Sequence, residues 1–421
     1  SDENYEKIMR LGDQSIQPEE RLTRIYPEKN LFSHIIGQID NDNNGISGLE
    51  KSLDNVLKNS SKSIKLTVDK DIQFLIRDEL IKFNEVFKTK GSAAVLMDVN
   101  NGEILSLVSL PDFDPNKRER ITDVNFINRV TKGVYEFGSV FKTFTLAAAF
   151  DQKIIEPQTK FLDLPKSISC AGFPIREYDE KIPSDLTAEQ ILIRSGNIGS
   201  VRIGQEVGVE KFKLFLSKLG LMNEINFDIE EVGRPLNFNW GKCPLATASF
   251  GHGITTTLLQ VVKAYAIIVN GGFYIDPVLI KKDKTYKKEK ILDKNVSKKI
   301  LPILRKIVTT NEGTANLANV NGYEIGGKTG TANKSSAGGY DNKKINTFVS
   351  IFPTTKPKFI LAVMLDEPQI NSDYIYKYRD GSGFELKGSP RNTAGWNSVE
   401  TTGHIVEKIG PILATKYSEF E

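Results

Sequence analysis

Cysteine and histidine are scarce in this chain. The 421 residues contain two cysteines, Cys170 and Cys243, and three scattered histidines, His34, His252 and His404. Neither a four-cysteine zinc cluster nor an HExxH site can be built from them, so no structural or catalytic zinc is expected. The two cysteines do not decide the redox compartment, and they read as buried thiols or a non-catalytic pair rather than as nucleophiles. An excess of one charge is also missing: 56 Lys and Arg stand against 53 Asp and Glu, for a net charge of +3. With both signs interspersed, there is no electrostatic footprint of a nucleic-acid partner. No apolar run approaches the roughly 18 residues that span a bilayer, and the longest candidates, such as FILAVML at 359–365, have strand length. The chain as given therefore reads as soluble. Its first residues, SDENYEKIMRLGDQ, carry neither an initiator Met nor a basic stretch followed by an apolar one, so they are not a signal peptide. The chain begins like a fragment, and any anchor upstream is expected to have been cut away.

What is present fits a folded body. Hydrophobic residues make up 39%, and the length allows one large core with one or two smaller modules. Residues 1–60 are polar. Asn43, Asn44 and Gly45 form a predicted turn feeding a short helix through Leu49, Leu53 and Leu57, with too little apolar surface to fold alone. IKLTVD at 64–69 reads as a strand, and 70–87 as a helix through Ile72, Leu75, Ile76 and Leu80. Two apolar runs flank Asn101-Gly102 in 92–110, a hairpin signal, and a second hairpin is expected from 345–352 and 359–365. Residues 399–417 read as a C-terminal helix. Hairpins near opposite ends with helical sequence between them predict one α+β domain whose sheet recruits strands from both ends. The charged run at 281–299 mixes acids with bases and reads as a solvated loop or strand edge.

The chemistry concentrates in three places. In EFGSVFKTFTLAAAF at 136–150, Ser139 is expected at the start of a buried helix with Lys142 one turn on along the same face. A serine hydroxyl is a weak nucleophile until a base takes its proton. A lysine can serve when burial or nearby positive charge lowers its pKa. Backbone N–H groups at the helix start could hold an oxyanion. The competing reading makes Ser139 a helix cap and Lys142 a surface residue. S-x-x-K occurs once in the chain. Ser195-Gly196-Asn197 interrupts an otherwise apolar stretch with a hydroxyl and an amide that could relay a proton and orient a substrate amide or the lysine amine. Lys328-Thr329-Gly330-Thr331 follows Gly326-Gly327 and suits a strand edge along which an extended substrate lies. There Lys328 supplies charge, Thr329 and Thr331 hydroxyls, and Gly330 room for close approach.

S-x-x-K, S-x-N and K-T-G in this order resemble the signature of the penicillin-binding proteins and serine β-lactamases. The stretches 24–37, 45–54, 128–139, 250–272 and 326–332 further resemble the class B transpeptidases of septum formation, and 391–413 looks similar to α-proteobacterial septal enzymes. The resemblance implies a penicillin-binding protein/serine β-lactamase-like transpeptidase domain at 61–421, with a central antiparallel sheet flanked by helices, after a pedestal remnant at 1–60. It implies a peptidoglycan D,D-transpeptidase with Ser139 as nucleophile, Lys142 as base, Ser195 as proton relay and Asn197 as orienting group. Lys328 and Thr329 would recognise the substrate carboxylate, and the N–H groups of Ser139 and Thr331, with Gly330 between strand and substrate, would line the oxyanion hole. No cofactor is implied. The implied partners are peptidoglycan stem peptides, β-lactam antibiotics, a septal glycosyltransferase and other division membrane proteins. The implied place is the bacterial inner membrane, with the catalytic domain in the periplasm and this chain lacking the anchor. Where relatives commonly have proline before the glycine preceding the nucleophile, this chain has Phe137, which frees φ without removing a chemical group. His252 is expected to line the cleft or serve structure, with no Asp partner that sequence identifies. A β-lactamase would share the three motifs, but the chain length and the 24–57 segment favour the transpeptidase. An elongation-specific class B enzyme would share the chemistry and differ in its partners. A catalytically silent division scaffold would be expected to lack at least one reactive group, whereas all are present.

Overall fold

The structure is a computed structural model and describes residues 2–18, 24–117, 123–281, 289–336 and 339–417. Its centre is a five-stranded antiparallel sheet, ordered Ile104–Leu110, Gly91–Asp98, Phe359–Asp366, Gly339–Phe352 and Gly326–Ser336. Both expected hairpins form. The first and last pair through their inner strands, with Gly91 opposite Asp366 and Asp98 opposite Phe359. Strands from both ends of the chain thus share one sheet. The central strands Gly91–Asp98 and Phe359–Asp366 are buried along their whole length, because helices cover both faces. The expected helix at Lys70–Phe87 and the C-terminal helix Ser398–Lys416 pack on one face through Ile72, Ile76, Leu80, Ile405 and Ile409. A larger helical body built on Phe141–Asp151, Asn197–Val207, Leu258–Val269 and Lys294–Thr309 covers the other.

Three local expectations change. Residues 64–69 form no strand: Leu66 makes one bridge to Ile280, and Asp69 instead caps the following helix by accepting from the N–H groups of Asp71 and Ile72. The helix expected through Leu49, Leu53 and Leu57 is broken at Leu53 into Gly48–Ser52 and Asp54–Asn59. It does lean on the larger body, since Leu49 joins the main core and Gly48 N–H donates to Glu231. In the charged run, 282–288 lie outside the described residues. Lys290 bridges Phe273, and residues 294–299 open the Lys294–Thr309 helix.

Candidate active site

The Gly138–Val140 segment is a 3-10 turn that runs into the buried helix Phe141–Asp151, so Ser139 sits just ahead of the α-helix rather than on its first residue. Phe137, buried against Tyr135, occupies the approach to this turn. The strand Gly326–Ser336, at the sheet edge as expected, lies directly against it. A Cβ added at Gly330 would meet the Phe137 carbonyl at 2.2 Å, and one at Gly138 would meet the Thr331 carbonyl at 2.7 Å. Only glycine permits this backbone contact.

Ser195 and Asn197 arrive from the junction between the helices Ala188–Ile193 and Asn197–Val207. Ser195 has a φ of +57°, a left-handed conformation that costs a non-glycine residue roughly 1–2 kcal/mol and is held by its surroundings. That twist turns its side chain and carbonyl toward Lys142. Lys142 Nζ donates to the Ser195 carbonyl, to Ser195 Oγ at 3.2 Å and to Asn197 Oδ1 at 2.7 Å. Lys328 Nζ donates to the same Ser195 Oγ at 2.8 Å and to the Thr329 carbonyl at 3.1 Å. Both amines are buried. Burial pulls Lys142 down to about 7, with the Glu177 carboxylate opposing the shift. Burial first, and then the charge of Lys142, hold Lys328 well below the ordinary lysine range. Both amines thus meet at the Ser195 hydroxyl, where like charges disfavour joint protonation, and the hydrogen bonds of Lys142 go to Ser195 and Asn197 rather than to Ser139. Ser139 itself lines the cleft.

The cleft encloses about 900 Å³ and is lined by Ser139, Ser195, Asn197, Thr329 and Thr331 among others. The sequence-predicted residues therefore converge, with Lys142 and Lys328 beneath the floor and Gly330 wedged behind it. Thr329 Oγ1 lies 2.7 Å from Thr314 Oγ1, and Thr331 Oγ1 accepts from the Ala394 N–H at 3.0 Å.

Sequence reasoning missed Glu177. Its carboxylate accepts from the N–H groups of Asn197 at 2.6 Å and Ile198 at 2.9 Å, neutralising the first turn of that helix. Asn197 Nδ2 meanwhile donates to the Arg176 carbonyl at 2.8 Å, which leaves its Oδ1 facing Lys142. Arg176 ends a hairpin, Ser167–Cys170 with Phe173–Arg176, that a Cys170–Cys243 disulfide ties to the helix Lys242–Ala248. The cysteines are thus a non-catalytic pair, one of the two options open from sequence. His252 lines the cleft and does have a carboxylate neighbour, Glu136, 3.7 Å from Nδ1. No group of three His, Cys, Asp or Glu that could hold a metal occurs among the described residues.

The sequence and the fold have counterparts in known proteins. The penicillin binding protein transpeptidase domain profile matches residues 92–381. The chain is 30% identical over 430 residues to the probable peptidoglycan D,D-transpeptidase FtsI of Caulobacter vibrioides, covering 97% of this chain and 69% of that one. It is 31% identical over 401 residues to the probable peptidoglycan D,D-transpeptidase PenA of Neisseria meningitidis, covering 88% and 68%. Among solved structures, penicillin binding protein 3 of Mycobacterium tuberculosis complexed with ampicillin superposes with a TM-score of 0.78 at 25% identity, covering 92% of this chain and 90% of that one. Its aztreonam complex gives 0.78 at 24% over 94% and 92%, a likeness of fold.

Proposed function

The chain belongs to the class B penicillin-binding protein transpeptidase family, and from that premise we propose that it is a septal peptidoglycan D,D-transpeptidase working through an acyl-enzyme on Ser139. The observation that carries the mechanism is the meeting of Lys142, Lys328 and Asn197 around Ser195 at the floor of the Ser139 cleft. In this reading neutral Lys142 takes the Oγ proton as Ser139 attacks the carbonyl of the penultimate D-alanine of a stem peptide. The N–H groups of Ser139 and Thr331 hold the resulting oxyanion. Ser195 passes a proton to the departing D-alanine nitrogen, the C–N bond breaks, and an ester to Ser139 remains. An amine of a neighbouring stem then attacks the ester, its proton returns through Lys142 to Ser139 Oγ, and a new amide is left behind. Thr329, with the charge of Lys328 beneath it, receives the donor carboxylate.

β-Lactams are read as acylating the same serine, in keeping with the ampicillin and aztreonam complexes of the mycobacterial relative. Residues 61–421 are assigned to the catalytic domain and 1–60 to a pedestal remnant. Among the described residues no helix is long and apolar enough to cross a membrane. A periplasmic catalytic domain is supported by the disulfide, which belongs to an oxidising compartment, and the inner-membrane anchor follows from the family resemblance alone. The septal assignment and α-proteobacterial source rest on the resemblance and on the Caulobacter relative, and division partners follow from it. The chemistry is tested by incubating the chain and Ser139→Ala with benzylpenicillin and recording intact masses. A long-lived adduct mapping to Ser139 and absent from the variant is expected. Rapid drug hydrolysis without an adduct points to a β-lactamase, and neither adduct nor hydrolysis in folded protein to a silent scaffold. The septal role is tested by depletion in cells: filaments support it, and loss of rod shape assigns the enzyme to elongation.

A further inference from the structure

The reaction needs a second substrate, and the residues gathered around Ser195 supply nothing for it. An amine arrives as an ammonium ion at neutral pH, whereas Lys344 and Arg391 line the walls and the amines of Lys142 and Lys328 beneath the floor offer no counter-charge. Such surroundings give a cation nothing to bind. Among the described residues that line the cleft, the carboxylates are Glu136 and Asp179. Asp179 is committed to Arg391, 3.3 Å away. Glu136 has no lysine or arginine partner among the described residues. It accepts from Tyr340 Oη at 2.7 Å and from the Gly253 N–H at 2.9 Å, both neutral donors, and its side chain is 11% exposed. Two accepted bonds leave a carboxylate with lone pairs to spare.

Aromatic rings surround this charge. His252 stacks on Phe250 with centroids 6.0 Å apart and lies 4.7 Å from the Tyr340 ring. Phe250, His252 and Tyr340 all line the same cleft as Ser139, three residues downstream of Glu136. A carboxylate beside ring faces is a setting that favours a primary ammonium over a neutral or anionic group. We propose that Glu136, flanked by Phe250, His252 and Tyr340, is the subsite for the primary ammonium of the acceptor peptide. The assignment rests on the transpeptidase reading. It divides the cleft electrically, with the donor carboxylate drawn to the Lys328 and Thr329 side and the acceptor ammonium to the Glu136 side.

The test uses a synthetic stem pentapeptide that ends in D-alanyl-D-alanine and carries a free side-chain amine. Mass spectrometry counts cross-linked dimer against hydrolysed tetrapeptide. Glu136→Gln is expected to lower the dimer-to-tetrapeptide ratio at least tenfold and to raise the half-saturating amine concentration, while benzylpenicillin acylation falls less than threefold. Glu136→Asp keeps the charge and is expected to retain more of the ratio than Glu136→Gln. A parallel loss of acylation and cross-linking in Glu136→Gln would make Glu136 a brace of the Ser139 turn and overturn the proposal. So would an unchanged ratio, or a wild-type chain that hydrolyses the peptide but forms no dimer at any amine concentration. Absence of any Ser139 acylation in the wild-type chain would instead sink the transpeptidase reading itself.

Discussion

Lys328 Nζ lies 2.8 Å from Ser195 Oγ, the hydroxyl that Lys142 approaches from its other side at 3.2 Å. The serine joins two buried amines, and burial is what brings Lys142 down to about 7, the range in which the proposed base would act.

The rate of acylation is therefore expected to follow the neutral form of Lys142, whose pKa lies at about 7. Below that value the second-order rate constant with benzylpenicillin should fall close to tenfold per pH unit, and above it the rate should level off. Stopped-flow competition with a fluorescent penicillin between pH 5 and 9 measures it. A profile flat across this range removes Lys142 from the role of base.

Glu177 raises the Lys142 pKa by its charge, against the larger effect of burial. Glu177→Gln removes that charge, so the acid limb of the same profile should move to lower pH. The substitution also weakens two charge-assisted bonds at the Asn197–Val207 helix start, with an expected stability loss of about 1 kcal/mol. Thermal unfolding beside the pH profile separates the two effects. A limb that stays in place shows that the carboxylate acts only as a cap.

The motif residues and the pairs of strands were legible in the sequence because both are local signals. S-x-x-K fixes Ser139 and Lys142 on one stretch of chain, and Asn101-Gly102 fixes the first hairpin. Glu177 was not legible, since its partners, Asn197 and Ile198, lie about 20 residues on and meet it only once the hairpin folds over. Glu136 was hidden for a related reason: Tyr340, His252 and Gly253 come from two distant segments. At 64–69, alternating apolar residues predicted a strand, but tertiary pairing left just the Leu66 bridge to Ile280. The positive φ of Ser195 likewise has no sequence signal, because glycine, not serine, is the usual mark of that conformation.

The disulfide closes a segment of 73 residues between Cys170 and Cys243. Loop-closure entropy puts its stabilisation at up to about 4 kcal/mol. Cys170→Ser with Cys243→Ser should lower the melting temperature by several degrees, and a thiol reductant should lower the wild type alone. The freed hairpin carries the Arg176 carbonyl that orients Asn197, so acylation should slow as well. Calorimetry with and without reductant, paired with acylation rates, checks both. Equal melting temperatures for the wild type in the two conditions would rule out a stabilising bond in solution.

Gly330 is the point where the strand Gly326–Ser336 meets the Ser139 turn. An alanine methyl there would stand 2.2 Å from the Phe137 carbonyl and 2.6 Å from Val140 Cγ2, so the turn or the strand has to move. Ser139 and Thr331 are sequence neighbours of this contact, so a displacement there would act on the proposed oxyanion site. Gly330→Ala should slow acylation roughly 100-fold, close to the loss of one oxyanion donor. Gly322 provides the comparison: its φ of +84° faces open space, so Gly322→Ala strains only the backbone, at about 1 kcal/mol, and should leave acylation unchanged. Melting temperatures measured with acylation rates distinguish a site effect from a general loss of stability. If Gly330→Ala acylates at the wild-type rate, close contact between strand and turn is not what shapes the oxyanion site.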